Sequence, residues 1–311
     1  MDLSIVSPVY MSASTVLPLV QELTTVLGEQ GLGCYEIILV DDGSSDQSWQ
    51  QMVIASERYP HVLAIRLSRN FGQHNAIAAG LDRSTGDVVV VMDCDLQDRP
   101  AEVPHLVAKL RAEPHAECVL AVRANRQDLF LKRISSTVFY LLLRLLTGVH
   151  LDSRIANFGA YSAKMVKVIN SLREPDRSFP FFVHWVGFEK AYLEVQPAPR
   201  HSGRSSYSFY ALMKLAVNVG MGVSDRPMRL VMGVGAILCT TAFFFGVGLL
   251  FRYAAGQVSE PGYASIILSL WFFSGIIVLL LGFVGLYVGK IYLATKQRPI
   301  YVVNERLKDD L

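Results

Sequence analysis

From Leu3 to Val122 the chain alternates short apolar, β-branched runs with stretches whose apolar positions recur every three to four residues. The short runs predict strands at Leu3–Ser7, Glu36–Asp41, Val62–Leu67, Asp87–Asp93 and Glu117–Val122. The periodic stretches predict amphipathic helices at Ser14–Glu29, Asp46–Tyr59, Gln73–Arg83 and Ala101–Arg111, several opened by a Ser or Asp cap. Strands that are apolar almost throughout have both faces covered, so the alternation predicts an α/β fold around a mostly parallel sheet. Ligands of such sheets bind beyond the carboxyl ends of the strands. The residues falling there are polar and acidic: Ser7-Pro8-Val9-Tyr10, Asp41-Asp42-Gly43-Ser44, Ser68-Arg69-Asn70 and Asp93-Cys94-Asp95.

Further along, the pattern changes. Leu230–Phe251 runs 22 residues and Tyr263–Gly289 runs 27 residues without a charged side chain. At 1.5 Å per residue each can cross a hydrocarbon core of about 30 Å. They predict a two-helix transmembrane hairpin, 230–251 and 263–289. Arg200, Arg204, Lys214, Arg226 and Arg229 precede it, and Lys290, Lys296, Arg298, Arg306 and Lys308 follow it, whereas the loop between the spans holds Arg252 alone. The positive-inside rule then places both termini in the cytoplasm. Arg133–Val149 and Ser208–Val223 are helix-periodic but too short or too charged to span. They read as helices lying in the membrane interface, with ordinary core helices as the alternative. The expected division is a cytoplasmic domain over 1–207 (its interfacial helix at about 133–149), a juxtamembrane helix over 208–229, the hairpin over 230–289 and a polar tail over 290–311. The whole is expected to be a multi-pass protein of the plasma (inner) membrane.

Composition narrows the chemistry. The chain is 51% hydrophobic and 18% charged, and residues 230–289 contribute only Arg252 and Glu260 to the charged set. A net charge of +2 gives no general attraction to nucleic acid. The N-terminus lacks the basic and apolar regions of a signal peptide, so none is expected. Cys34, Cys94, Cys118 and Cys239 show no C-x-x-C spacing and read as buried free thiols. No G-x-G-x-x-G follows the first strand and no G-x-x-x-x-G-K-[ST] occurs, so a dinucleotide fold or P-loop is unsupported. Carboxylates at the sheet edge instead suit a divalent cation holding a diphosphate. Mg²⁺ takes one or two carboxylates and leaves its other positions to water and phosphate oxygens, and an oxygen-rich site suits Mn²⁺ as well.

Four motifs in this order carry a resemblance: Ser7-Pro8-Val9-Tyr10, Val40-Asp41-Asp42-Gly43-Ser44-Ser45-Asp46, Leu67-Ser68-Arg69-Asn70-Phe71-Gly72 and Met92-Asp93-Cys94-Asp95-Leu96-Gln97-Asp98. Together they resemble glycosyltransferase family 2, and more narrowly the polyprenyl-phosphate glycosyltransferases related to dolichol-phosphate mannose synthase. The likeness runs to Arg298-Pro299-Ile300-Tyr301. It implies a GT-A catalytic domain, Rossmann-like and built on a mostly parallel sheet. By the same resemblance Pro8, Tyr10, Asp41 and Asp42 hold the nucleotide, Asp93 and Asp95 bind metal and diphosphate, and Gln97 completes the metal shell. Arg200, Ser205 and Tyr207 match the loop that closes over the donor phosphates. Arg123, Arg126, Lys132, Arg133 and Ser136 match a segment taking the lipid phosphate, with an interfacial patch for anionic lipid as the alternative.

Two positions depart from that family. Met11 stands where Asn is usual, and Ala156-Asn157-Phe158-Gly159 replaces a segment whose second residue is the carboxylate nominated as base. Asn157 is then an orienting amide, and Asp152 is a substitute candidate. A phosphate monoester has a second pKa of about 6, so it reaches neutral pH mostly as a dianion and needs no base. The expected reaction is inverting transfer from a nucleotide-sugar, a UDP-sugar, to a polyprenyl phosphate, serving cell-envelope glycans such as O-antigen. The competing expectations are a degenerate, non-catalytic scaffold or flippase partner, and a processive polysaccharide synthase. The latter is disfavoured by two spans and the lack of Q-x-x-R-W. Oligomeric state stays open, a homo-oligomer included.

Overall fold

The computed structural model describes residues 2–31, 34–123, 155–174, 177–196 and 262–308, with isolated positions between 231 and 255. Eight strands form one sheet: β1 (Leu3–Val9), β2 (Tyr35–Asp41), β3 (Val62–Leu67), β4 (Val88–Val91), β5 (Cys118–Arg123), β6 (Ile155–Ser162), β7 (Lys190–Val195) and β8 (Val303–Leu307). Their order is β7-β5-β6-β4-β1-β2-β3-β8. The block β4-β1-β2-β3 is parallel, and β5 pairs parallel with β7. β6 runs antiparallel between β4 and β5, and β8 antiparallel along β3. The mostly parallel α/β sheet is as expected, with three strands added that the pattern does not mark.

Burial explains the central block. Every residue of β1 and β4 is buried, which the four consecutive Val of β4 and the Leu, Ile and Val of β1 anticipate. The helices are α1 (Val16–Glu29), α2 (Ser48–Arg58), α3 (Gln73–Leu81), α4 (Val103–Ala112), α5 (Ala163–Ser171), α6 (Phe179–Trp185) and α7 (Tyr263–Thr295). α1 buries Val16, Leu19, Val20, Leu23 and Leu27, one stripe at helical spacing. Ser162 caps α5 by accepting the Met165 amide at 3.1 Å. Beside it, Tyr161 and Phe179 meet edge to face at 5.3 Å.

The chain divides into two compact units, one holding the sheet and the other α7. α7 has 33 residues, and its stretch Phe272–Thr295 is the one helix among the described residues long and apolar enough to cross a membrane. It continues past Gly289, where the uncharged run ends. Positions 231, 233, 235, 237, 240, 241, 244, 247, 248 and 251 of the first expected span are helical, and the rest of that span lies outside the described residues. So do the two expected interfacial helices. The polar tail is not a free tail: residues 299–311 belong to the sheet unit, and β8 is its edge strand. Of the cysteines, Cys94 and Cys118 are buried, but Cys34 is exposed on the connection into β2, which corrects the expectation of uniform burial.

Candidate active site

The carboxyl ends of β1, β2, β3 and β4 share one edge. Each strand is followed within five residues by a left-handed backbone: Met11 (φ 51°), Gly43 (φ 67°), Gly72 (φ 95°) and Leu96 (φ 61°). For Met11 and Leu96 this conformation costs about 1–2 kcal/mol each, and strain of this kind gathers at functional sites. The conformation at Met11 suits the Asn usual in the family it resembles, since Asn enters the left-handed region more readily than Met, so the departure noted above leaves a strained residue at the cleft.

These four turns enclose a cleft of about 280 Å³ lined by Pro8, Val9, Tyr10, Ser12, Asp42, Asn70, Gly72, Gln73, Asp93, Cys94 and Asp95. Five of the expected residues, Pro8, Tyr10, Asp42, Asp93 and Asp95, thus come together. Asp42 accepts the amides of Phe71 at 2.7 Å and Gly72 at 2.9 Å, so it ties the turn after β2 to the turn after β3. Burial pushes its pKa above the ordinary carboxylate range, against the pull of those two amides. Asp41 does not line the cleft. Its side chain is fully buried, Oδ1 accepts the Ser44 amide at 3.0 Å, and Oδ2 faces Arg66 Nε at 3.4 Å. It builds the turn that presents Asp42.

Asp93 and Asp95 are each held by an amide side chain. Gln73 Nε2 donates to Asp93 Oδ1 at 2.7 Å, and Gln97 Nε2 donates to Asp95 Oδ2 at 2.6 Å. The backbone amide of Gln97 adds a bond to Asp95 Oδ1 at 3.0 Å. Gln97 therefore clamps Asp95 from beside the cleft, and its Oε1 is the atom able to ligate. Buried Asp98 closes the turn, its Oδ2 facing the Asp93 amide at 3.4 Å. Among the described residues no three or more His, Cys, Asp or Glu side chains gather as a metal site. Two carboxylates open to a cleft fit a Mg²⁺- or Mn²⁺-type cation that takes its remaining oxygens from water and diphosphate.

Two neighbouring groups are not acid–base players. Burial raises the Cys94 thiol to about 12, which keeps it neutral between the two acids. Burial, then the nearby Arg177 charge, lowers His74 to about 4, so it is a weak base next to Gln73. Asn157 lies on β6, half-buried, its carbonyl accepting the Tyr161 hydroxyl at 3.3 Å. The β4–β6 pairing ends at Val91↔Gly159, and continuing that register two residues brings Asn157 level with Asp93. Arg123 is the last residue of β5, at the same edge. Asp152, Arg200, Ser205, Tyr207, Arg126, Lys132, Arg133 and Ser136 lie outside the described residues. Ser12 and Gln73 join the site without having been singled out, as do Asn70 and Gly72, which stood in the third motif with no role assigned. Their signal was available, because the turn after β3 obeys the same strand-end rule as the other three.

Comparison with known proteins gives the site its setting. The family model described as glycosyl transferase family 2 matches residues 4–169. The undecaprenyl-phosphate 4-deoxy-4-formamido-L-arabinose transferase of Photorhabdus laumondii is 32% identical over 310 residues, covering 99% of this chain and 94% of that protein. The Serratia proteamaculans protein of the same name is 33% identical over 305 residues, covering 97% and 93%. Among solved structures, glucosyl-3-phosphoglycerate synthase from Mycobacterium tuberculosis superposes with a TM-score of 0.49 at 18% identity, covering 72% of this chain and 79% of that one. With the matched model spanning more than half of the chain and both acid motifs at its sheet edge, this protein belongs to glycosyl transferase family 2.

Proposed function

We propose that this glycosyltransferase moves a sugar, with inversion, from a UDP-sugar to an undecaprenyl-type polyprenyl phosphate at the cytoplasmic face of the plasma membrane. The observation that carries this reading is where the chain leaves the sheet. β5 and β7 end, and β6 and β8 begin, at the edge that holds the cleft. The chain therefore leaves the sheet after β5 and β7, and re-enters it at β6 and β8, on the cleft side. A lipid acceptor stays in its membrane, so a cleft on that side is where it must be met. The names of the relatives favour the same acceptor. β8 supports the hairpin: if α7 crosses the membrane, the chain has to cross once more to bring β8 back to the sheet it began.

Each residue then has a task. Tyr10, 53% exposed at the cleft rim, offers a ring face to the base. Asp42 sets the turns around the ribose, and Asp93 and Asp95 hold the cation with the donor diphosphate. That cation supplies neutralising charge for the departing nucleoside diphosphate. Asn157 orients by hydrogen bonding and takes no proton. Catalysis rests on positioning and charge, because the acceptor dianion is already a nucleophile. Two measurements check this. Undecaprenyl phosphate is glycosylated and undecaprenol is not, and Asn157→Asp changes kcat by less than about tenfold. A gain of several orders of magnitude in Asn157→Asp would show that the acceptor needs a base; general-base catalysis contributes about 10²–10⁴-fold.

A further inference from the structure

Tyr301 closes the Arg298-Pro299-Ile300-Tyr301 run, to which neither the cleft nor α7 assigns a role. Its hydroxyl donates to Asp82 Oδ2 at 2.6 Å. Arg173 grips the same carboxylate with both terminal nitrogens, each at 2.7 Å. Asp82 is the C-cap of α3. The other end of α3 is the cleft, where Gly72 and Gln73 form part of the wall and Gln73 holds Asp93. α3 is nine residues long, and between its ends it packs on β1 and β2 through Ala76, Ile77, Ala78, Ala79, Gly80 and Leu81. Small side chains let α3 sit close on those strands, at Gly80 with no room for a Cβ beside Val6, so α3 is held as one packed element whose C-terminal end the Asp82 contacts anchor.

The residues after Tyr301 grip the other side of the same loop. The Val302 carbonyl accepts the Ser68 amide at 2.9 Å, and β8 pairs with β3 from Ala64↔Leu307 to Leu67↔Val303. Lys308 fastens the far end of the strand to the carbonyls of Ser56, in the last turn of α2, and of Tyr59 and Pro60 just beyond it. Residues 68–72 are therefore suspended between β3 and α3, and residues 301–308 hold both. Inside the loop further ties are the two amide bonds to Asp42 and the bond from the Asn75 side-chain amide to the Phe71 carbonyl at 2.8 Å, which joins the loop to α3. Burial pushes the Tyr301 phenol up to about 12, so it stays a proton donor to Asp82 throughout the neutral range.

We propose that Tyr301, with Arg173 and Asp82, is a positioning cluster for the nucleotide site: it sets α3, and through α3 the 68–73 wall of the cleft. The strand that follows the apolar helix is then a working part of donor binding. This rests on the cleft being the nucleotide site.

The test uses the full-length protein in lipid nanodiscs, with the nucleotide-sugar and undecaprenyl phosphate varied separately. Coupling through packed elements changes binding by roughly 2- to 30-fold. Tyr301→Phe should raise the nucleotide-sugar KM about fivefold, leave the polyprenyl-phosphate KM within about twofold, and speed hydrogen exchange at the Phe71 and Gly72 amides. Arg173→Lys keeps the charge, loses the paired grip, and should move the same KM in the same direction; it stands in if Tyr301→Phe does not fold. An unchanged nucleotide KM, an equal rise in both KM values, or a rise confined to the lipid KM overturns the proposal. A wild-type protein that binds no nucleotide overturns the assignment of the cleft, and the proposal with it.

Discussion

Asp95→Ala lowers sugar transfer by about 10²–10³-fold while the protein stays folded. The size follows from the role: removal of one group that stabilises charge at a reacting centre typically costs that much. Asp95 and Asp93 are the two acids of the cleft wall beyond Asp42, and Asp42 is committed to the amides of Phe71 and Gly72. No neighbour can therefore replace the lost charge. The structural cost is smaller. The variant loses the bonds from the Gln97 side chain and backbone amide at a half-exposed turn, worth about 1 kcal/mol each or less. Asp95→Asn keeps an acceptor for the Gln97 amide but not the charge, and it should lose nearly as much activity as alanine. Turnover numbers of purified variants at saturating donor, with unfolding midpoints beside them, check both halves. If Asp95→Ala retains more than a tenth of wild-type turnover, the acidic edge is not the reaction centre.

Gly43→Ala should destabilise the protein by about 3 kcal/mol and raise the donor KM at least about tenfold. Two costs combine. The left-handed backbone at φ 67° charges any L-residue about 1 kcal/mol. A Cβ there would also sit 2.5 Å from the Arg69 carbonyl carbon and 2.6 Å from the Asn70 nitrogen. Both are main-chain atoms, so relief comes by moving the turn after β3 away from the turn after β2, at about 1–3 kcal/mol. That movement also opens the cleft between Asp42 and Asn70. Gly31→Ala is the matched control: its φ is 64°, nothing lies within 4 Å of the added carbon, and it should cost only the backbone share. Chemical denaturation of the three proteins separates the two costs. Equal losses in Gly43→Ala and Gly31→Ala would remove the steric one.

The strands legible in the sequence are those buried on both faces. β1 to β5 and helices α1 to α4 fall within a few residues of their apolar patterns, because burial writes those patterns. β8, Val-Asn-Glu-Arg-Leu, pairs on one side only and is exposed at its three central residues, so it carries no apolar signature. β6 is masked differently. Its Gly159 fits because an added Cβ would come within 2.8 Å of the Val119 carbonyl oxygen, and a tight sheet interior there demands a small residue that strand propensity disfavours. Strand parity explains Asp41 and Asp42. One residue belongs to β2 and faces Arg66 on β3, the next begins the turn, and a pair of adjacent acids in sequence gives no sign of which is which. Gln73 was hidden by chemistry: a neutral amide at a helix start looks like surface until its contact with Asp93 is seen.

The acceptor of the sugar is a polyprenyl phosphate if the proposed function holds. Full-length protein reconstituted with undecaprenyl phosphate and Mg²⁺ or Mn²⁺ is offered radiolabelled UDP-sugars, and the lipid fraction is counted. The expected result is cation-dependent label in a polyprenyl-monophosphate sugar, lost in Asp95→Ala. Label that reaches no lipid from any nucleotide-sugar, or reaches it equally well in Asp95→Ala, contradicts it.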